Sequence, residues 1–319
     1  MADSIRGDSI IQYRFFDDLP YDSFKSILLR PSGNDQNRTM FKDAMLQQMV
    51  KRLGLDIQEY APAVVYINGN YWGIHDIRER LDENYLAVKY GSAIEKISFL
   101  KYVRKEGFVL KYGDIQSLQS FKELILYIQD NSMADEKAYQ YVCTQMDIDN
   151  FIDYMIVETF FANGDWIDNN MSVYKIEEQT ETLKQKNIEN GKWRWFIFDL
   201  DYCLTYWDTS INMIDDLSYL LPRLNNTEIP VMFFGLLENA EFKEKFLNRY
   251  EFIIRNYLTT PYLLQYIEDF EERYQYEMER HIARWRYPLF FQEWRWRVEK
   301  MKTYMRERPE LVLEQIKEL

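Results

Sequence analysis

The sequence predicts an α+β fold in two lobes, a small α/β lobe over about residues 1–90 and a mainly helical lobe over about residues 91–319. Three observations carry this reading. Strand-like and helix-like runs alternate in the first part of the chain, and Asn68-Gly69, a strong short-range hairpin signal, separates two of the strand-like runs. From Glu228 to Leu319 the chain reads as long aromatic helices. The composition is 47% hydrophobic and 17% aromatic with 11 Gly and 8 Pro, which demands a large buried core and excludes a disordered or loop-dominated chain.

Element by element, residues 1–20 look irregular and Phe24–Arg30, F-K-S-I-L-L-R, reads as a strand. P-S-G-N-D-Q-N-R-T has turn composition and leads into a helix over Arg38–Leu53, where Met40, Phe41, Ala44, Met45, Met49, Val50 and Leu53 recur at a helical period. Gly54 is placed to end that helix. Ala63–Ile67 and Tyr71–Ile77 form the predicted hairpin, and R-E-R-L-D-E-N-Y-L starts a helix. Residues 116–128 and 133–163 read as helical, with a start near Asp147–Asn150 and an end near Asn163-Gly164. Met171–Lys175 and Lys192–Phe198 are strand-like and flank a polar insert that finishes with Asn190-Gly191.

The formal net charge of −13 repels nucleic-acid phosphates and favours divalent cations and basic protein partners, although acidic residues also serve simply to keep an aromatic-rich chain in solution. Two cysteines and two histidines, with no C-x-x-C or H-E-x-x-H spacing, argue against a disulfide framework and a zinc site. No segment approaches the run of about 18 apolar residues that spans a membrane, and M-A-D-S-I-R-G-D-S carries no apolar signal region.

Chemistry concentrates between Asn163 and Asp201. Asp165 follows a helix and a glycine, Asn170 lies five residues on, and W-R-W-F-I-F-D-L-D closes with Asp199 and Asp201. Protein kinases place a catalytic-loop Asp and a metal-binding Asn five residues apart, then a hairpin, then a metal-binding Asp, and D-Y-C at 201–203 parallels D-F-G. Taken singly, each residue also has a plain structural role: N-G-D as a helix end and turn, Asn170 as a turn asparagine, the two aspartates as strand-end caps. Strand alternation puts Asp199 and Asp201 on one face, where both are costly unless paired or bound to a cation. A cation for the donor phosphates is expected from Arg30 or Lys25, on opposite strand faces, and Asp43 is the one carboxylate of the following helix that could hold Arg30; an exposed ion pair of little consequence is the competing reading. No G-x-G-x-x-G or G-x-x-x-x-G-K-[ST] occurs. The run H-I-A-R-W-R-Y-P-L-F-F-Q-E-W-R-W-R-V suits either a stacking platform or, more simply, a helix pair that buries Trp and snorkels Arg.

The segments I-L-L-R-P-S-G-N-D-Q-N-R-T-M-F-K-D-A (27–44), V-V-Y-I-N-G-N-Y-W-G-I-H-D-I-R-E-R (64–80), N-F-I-D-Y-M-I-V-E-T-F-F-A-N-G-D-W-I-D-N-N (150–170), G-K-W-R-W-F-I-F-D-L-D (191–201) and R-E-R-P-E-L-V-L-E-Q-I (306–316) together resemble the CotH kinase family, the spore coat protein H-like atypical protein kinases. The resemblance implies a two-lobed protein-kinase-like fold that transfers the γ-phosphoryl of ATP to serine hydroxyls of a protein substrate with Mg²⁺ or Mn²⁺, in a spore coat, a bacterial envelope or a secreted setting. It implies Asp165 as the catalytic-loop aspartate and Asn170 and Asp201 as metal ligands, with Asp199 supporting them or holding a second ion. Arg30 stands for the phosphate-binding cation, and Glu79 lies where the chain would cross between lobes near the adenine. Two other classes stay open: a non-catalytic coat or envelope scaffold that keeps the fold, and a carbohydrate-active protein. The last is disfavoured because two carboxylates on one strand face cannot flank a glycosidic bond.

Overall fold

The computed structural model describes residues 10–166, 169–204 and 228–319, so the irregular start is described only from Ile10. A short pair, β1 (Ile11–Gln12) with β2 (Ser23–Phe24), precedes an antiparallel sheet of β3 (Ile27–Arg30), β4 (Tyr60–Ile67) and β5 (Asn70–Glu79) in the order β3–β5–β4. The single strand expected over Phe24–Arg30 is therefore broken between Phe24 and Ile27. Asn68 and Gly69 take left-handed angles, φ 51° and 78°, as a two-residue hairpin turn requires, so the sequence signal fixes the β4–β5 connection.

Helix α1 (Lys42–Val50) starts later than the apolar period suggests. The buried Asp35 carboxylate holds the preceding turn, accepting from the Thr39 N–H at 3.2 Å, the Thr39 hydroxyl at 2.5 Å and the Lys42 N–H at 3.0 Å. A 3₁₀ turn, Lys51–Leu53, then ends at Gly54 with φ 80°. Asp82 caps α2 (Glu83–Tyr90) through the Asn84 and Tyr85 N–H groups.

The region expected to be mainly helical opens with a second sheet. β6 (Ile97–Val103), β7 (Gly107–Tyr112), β8 (Ser172–Ile176) and β9 (Arg194–Trp195) lie in the order β7–β6–β8–β9. Between β7 and β8 run α3 (Ile115–Asp130), α4 (Glu136–Gln145) and α5 (Ile148–Phe160), the last buried at every residue but Asp149. The polar insert carries the short α6 (Glu181–Gln185). β9 is only two residues long because the chain leaves the ladder after Trp195; the Ile197 N–H bonds instead to the Asp56 carbonyl at 2.8 Å. The C-terminal part is helical, as predicted: α7 (Glu228–Leu237), α8 (Ala240–Asn256), α9 (Thr260–Trp285) and α10 (Phe291–Gln315).

One continuous apolar core joins Met45 of α1, Ile74 of β5, Phe151 of α5, Phe246 of α8, Tyr274 of α9 and Trp294 of α10. Helix α9 lies directly on β5. The Tyr274 hydroxyl donates to Asp76 at 2.6 Å, the Trp285 indole N–H to the Trp72 carbonyl at 2.6 Å, and His281 Nδ1 accepts from the Ile74 N–H at 3.1 Å. Burial lowers the His281 pKa to about 4, which keeps the acceptor imidazole neutral. Gly73 makes this approach feasible: its φ is +115°, and a Cβ there would stand 2.8 Å from His281 Nδ1 and 2.9 Å from Trp285 Nε1. Gly73→Ala is expected to destabilise the protein by about 2–3 kcal/mol through overpacking and backbone strain. Urea unfolding measures this, and an unchanged midpoint would refute the close-packing account.

Candidate active site

Helix α5 ends in a residue with left-handed backbone, Ala162 at φ 54°, and turns into Asn163-Gly164-Asp165. Asn163 locks the turn. Its side-chain N–H donates to the buried Glu158 carboxyl at 2.8 Å, and its carbonyl oxygen accepts the Asp165 N–H at 3.3 Å. Beyond the turn, Asn169 and Asn170 donate to Asp165 Oδ2 at 2.9 and 3.2 Å, and Arg104 Nη2 lies 3.5 Å from Oδ1. The structure thus brings Asp165 and Asn170 into direct contact, as their spacing suggests. Asn170 also has a positive φ, 53°.

Asp199 and Asp201 do not sit on a strand. Asp199 is left-handed (φ 61°, ψ 49°) and opens a 3₁₀ turn over Leu200–Tyr202, because Asp43 Oδ1 captures the Leu200 N–H at 2.7 Å. The expected alternation therefore fails, yet the two carboxylates still converge. Arg30 Nη2 donates to Asp199 Oδ1 and, at 3.0 Å, to Asp201 Oδ2. Arg30 Nε lies 3.4 Å from Asp43 Oδ2, the pairing anticipated from the strand–helix order, and the fully buried Arg78 reaches the same oxygen at 2.6 Å. Lys25, the other cation considered, is exposed.

Left-handed non-glycine residues are uncommon, and Ala162, Asn170, Asp199 and Leu204 place four of them in these two segments. The segments also touch: the Gly164 N–H points to the Tyr202 carbonyl at 3.5 Å, and the Leu204 N–H bonds to the Phe161 carbonyl at 3.0 Å.

Several residues of this site escaped the sequence reading. Asn34 clamps Asp201 with its backbone N–H (3.0 Å to Oδ2) and its side-chain amide (3.1 Å to Oδ1). Gly33, at φ +59°, is required beside it, because a Cβ there would collide with Asp201 Oδ2. The buried Lys42 donates to the carbonyls of Asp201 at 3.2 Å and Cys203 at 3.0 Å, pinning the turn from below. Burial pushes the Lys42 pKa down, against the pull of Asp35. Nothing in the sequence marks Lys42, whereas the period of two in β5 places Arg78 on one face with Ile74 and Asp76.

Glu79 lies elsewhere. In the β3–β5 ladder it faces Ile27, while Arg30 faces Asp76. Its carboxyl accepts from the Tyr21 hydroxyl at 2.6 Å and the Glu59 N–H at 3.2 Å, and burial raises its pKa to about 7. It borders a separate cleft with Tyr21, Phe24, Arg80, Asp82 and Tyr85.

The electrostatics of the carboxylate group are crowded. Burial raises Asp199, and Asp43 and Asp165 add to this against the pull of Arg30. Burial, then the charge of Asp199, raises Asp201 to about 6. Asp43 goes the other way: Arg78 and Arg30 outweigh its burial and lower its pKa. Among the described residues no group of three or more His, Cys, Asp or Glu has the arrangement to hold a metal ion. Mg²⁺ asks for less, since one or two carboxylates suffice when substrate phosphates complete its shell. Asp199, Asp201, Asp165 and Asn170 offer only hard oxygen donors of that kind, so the residues present fit such an ion.

The family described as CotH kinase protein matches residues 6–312. No curated protein matches the chain. Among solved structures the chain is similar to the Helicobacter pylori proinflammatory kinase CtkA, at 14% identity over 92% of this chain and 90% of that one, with a TM-score of 0.38. It is also similar to a chain of the Shewanella oneidensis MR-1 toxin–antitoxin complex of HipA, HipB and operator DNA, at 13% identity over 98% of this chain and 66% of that one, with a TM-score of 0.33. With nearly its whole length matched, this kinase-like protein, sheet-rich in its N-terminal part and helical in its C-terminal part, belongs to the CotH kinase family.

Proposed function

We propose that the chain is an atypical protein kinase that transfers the γ-phosphoryl of ATP to a serine hydroxyl of a protein substrate, with Mg²⁺ or Mn²⁺. The observation that supports this most is the convergence of Asp199 and Asp201 on one nitrogen of Arg30, next to a loop where Asp165 and Asn170 are already paired. When bound, ATP supplies the phosphoryl group and the divalent ion offsets the charge on its phosphates. In this reading Asp165 orients the acceptor hydroxyl and takes its proton. Asn170 and Asp201 hold the ion, Asp199 supports them or holds a second one, and Arg30 turns its charge to the phosphates. Asn34 and Lys42 keep the Asp201 turn rigid, which matters because phosphoryl transfer depends mostly on positioning. Glu79 and its cleft would lie toward the base of the nucleotide. The net charge of −13 favours a basic protein substrate, in a spore coat or cell envelope.

Ligand linkage tests this directly. ATP with Mn²⁺ is expected to raise the melting temperature by several degrees, more than either alone, because both bind only the folded state. A flat response to every combination would leave the fold as a non-catalytic scaffold.

A further inference from the structure

Two turns stand side by side at the end of β5 away from Arg30. One is the Asn68-Gly69 hairpin turn, and the other joins α9 to α10. The Trp72 and Trp285 rings meet edge-on with centroids 5.0 Å apart. The Arg280 guanidinium lies 4.0 Å from the Tyr71 ring centroid and 5.3 Å from that of Tyr66. Arg284 lies over Trp72 at 5.1 Å and over Trp285 at 4.9 Å. The helix pair is packed by Trp294 and Val298, which are fully buried, yet large apolar side chains remain outside: Tyr66, Ile67, Trp285, Tyr287, Leu289 and Phe290, with Leu289 62% exposed. Trp296 adds a further exposed ring.

Charge sets this end apart. Residues 280–300 carry six basic and two acidic side chains in a chain whose net charge is −13. Arg284 and Arg286 are exposed beside the rings, and Lys300 is exposed further along α10, whereas Arg280 pairs with Glu277 and Arg295 with Glu271. Both acids are engaged: Glu293 accepts from the Leu289 N–H and pairs with Arg297, and Glu299 pairs with Lys302.

We propose that this end of the protein docks on the surface of a lipid bilayer rich in anionic headgroups. The exposed apolar groups sit on the turn between α9 and α10 and on the ends of the strands and helices beside the two turns, not in a groove. Trp and Tyr suit the headgroup boundary, Leu289 and Phe290 reach the acyl edge, and the arginines meet lipid phosphates. The acidic remainder of the molecule opposes binding only weakly, because salt screens charges beyond about 8 Å. Along β5, Asp76 opposite Arg30 is six residues from the Asn70 end of the strand, so docking holds the carboxylate site roughly 20 Å above the lipid. The proposal stands apart from the kinase reading.

Co-sedimentation with vesicles tests it. The protein is expected to pellet with phosphatidylglycerol vesicles and not with phosphatidylcholine vesicles, with a blue-shifted Trp emission, and to release in part at high salt. The double variants Arg284→Glu with Arg286→Glu, and Leu289→Ser with Phe290→Ser, change exposed side chains only, and each is expected to weaken partition at least tenfold with an unchanged circular dichroism spectrum. No binding to anionic vesicles, equal binding to neutral ones, or full binding by either double variant overturns the proposal. Capture by soluble polyglutamate without vesicle binding also overturns it and assigns the surface to an acidic polypeptide.

Discussion

Asp201→Asn is expected to lose phosphate transfer by on the order of 10³-fold while the protein stays folded. The amide keeps the shape of the side chain and removes the charge that would hold the ion. The stability effect runs opposite to the activity effect. Burial and Asp199 raise the Asp201 pKa to about 6, above the ordinary aspartate value, so its favourable contribution is complete below about pH 4 and is lost as pH rises through 6. A neutral amide escapes that loss. The ligand-free variant is therefore expected to be as stable as the parent at pH 7, or more stable by about 1–2 kcal/mol, and to show no shift with Mn²⁺ and ATP. Asp165→Asn should lose transfer to the same order, yet retain the ligand-induced shift, because in the proposed reading Asp165 serves the acceptor hydroxyl and not the ion. Initial rates with labelled ATP and melting curves read both outcomes. Full activity in either variant would remove that residue from its role.

Glu158→Gln is the second large effect, and it acts on stability. Glu158 is fully buried and its pKa is raised to about 8, first by burial and then by the charge of Asp199, despite the hydrogen bond from Asn163. A raised folded-state value means full stability below the unfolded value near 4.5 and a steady loss as pH climbs through 8. At pH 7 the accumulated loss is about 3 kcal/mol. Glutamine keeps a carbonyl oxygen for Asn163 and never ionises. The variant should match the parent near pH 4, exceed it by about 2–3 kcal/mol at pH 7, and flatten the decline of stability with pH. Urea midpoints across that range measure this; parallel pH profiles would show that Glu158 is not the group responsible.

How much of this was legible in the sequence differs by residue. The hairpin was legible because Asn68-Gly69 is a local signal with a backbone consequence, φ 51° and 78°. So were the C-terminal helices, whose apolar periods are long; the Arg30–Asp43 pair was only one of two open readings, because eleven residues separate the strand from the helix and the sequence does not say how they fold back. The β6–β7 hairpin was missed for a physical reason. Ile97–Leu100, I-S-F-L, is buried on both faces and includes the polar Ser98, so it shows no sustained apolar–polar alternation of the kind that separates strand from helix. Asp199 was misplaced onto a strand because the apolar run W-R-W-F-I-F outlasts the ladder. The strand ends where Asp56 and Asp43, more than a hundred residues earlier, take the N–H groups of Ile197 and Leu200. Lys42 was invisible for the same cause: its partners are carbonyls of residues 201 and 203, and main-chain acceptors leave no trace in composition.

Helix α9 crosses from the C-terminal helices onto β5, and Phe41, Phe270, Tyr274 and Trp294 share one apolar interior. Prising the sheet away from the helices would wet those rings, so a hinge-like gape of the whole molecule carries nearly the same cost as melting it. Amide protons on β5, α1 and α9 should consequently exchange as one cooperative unit.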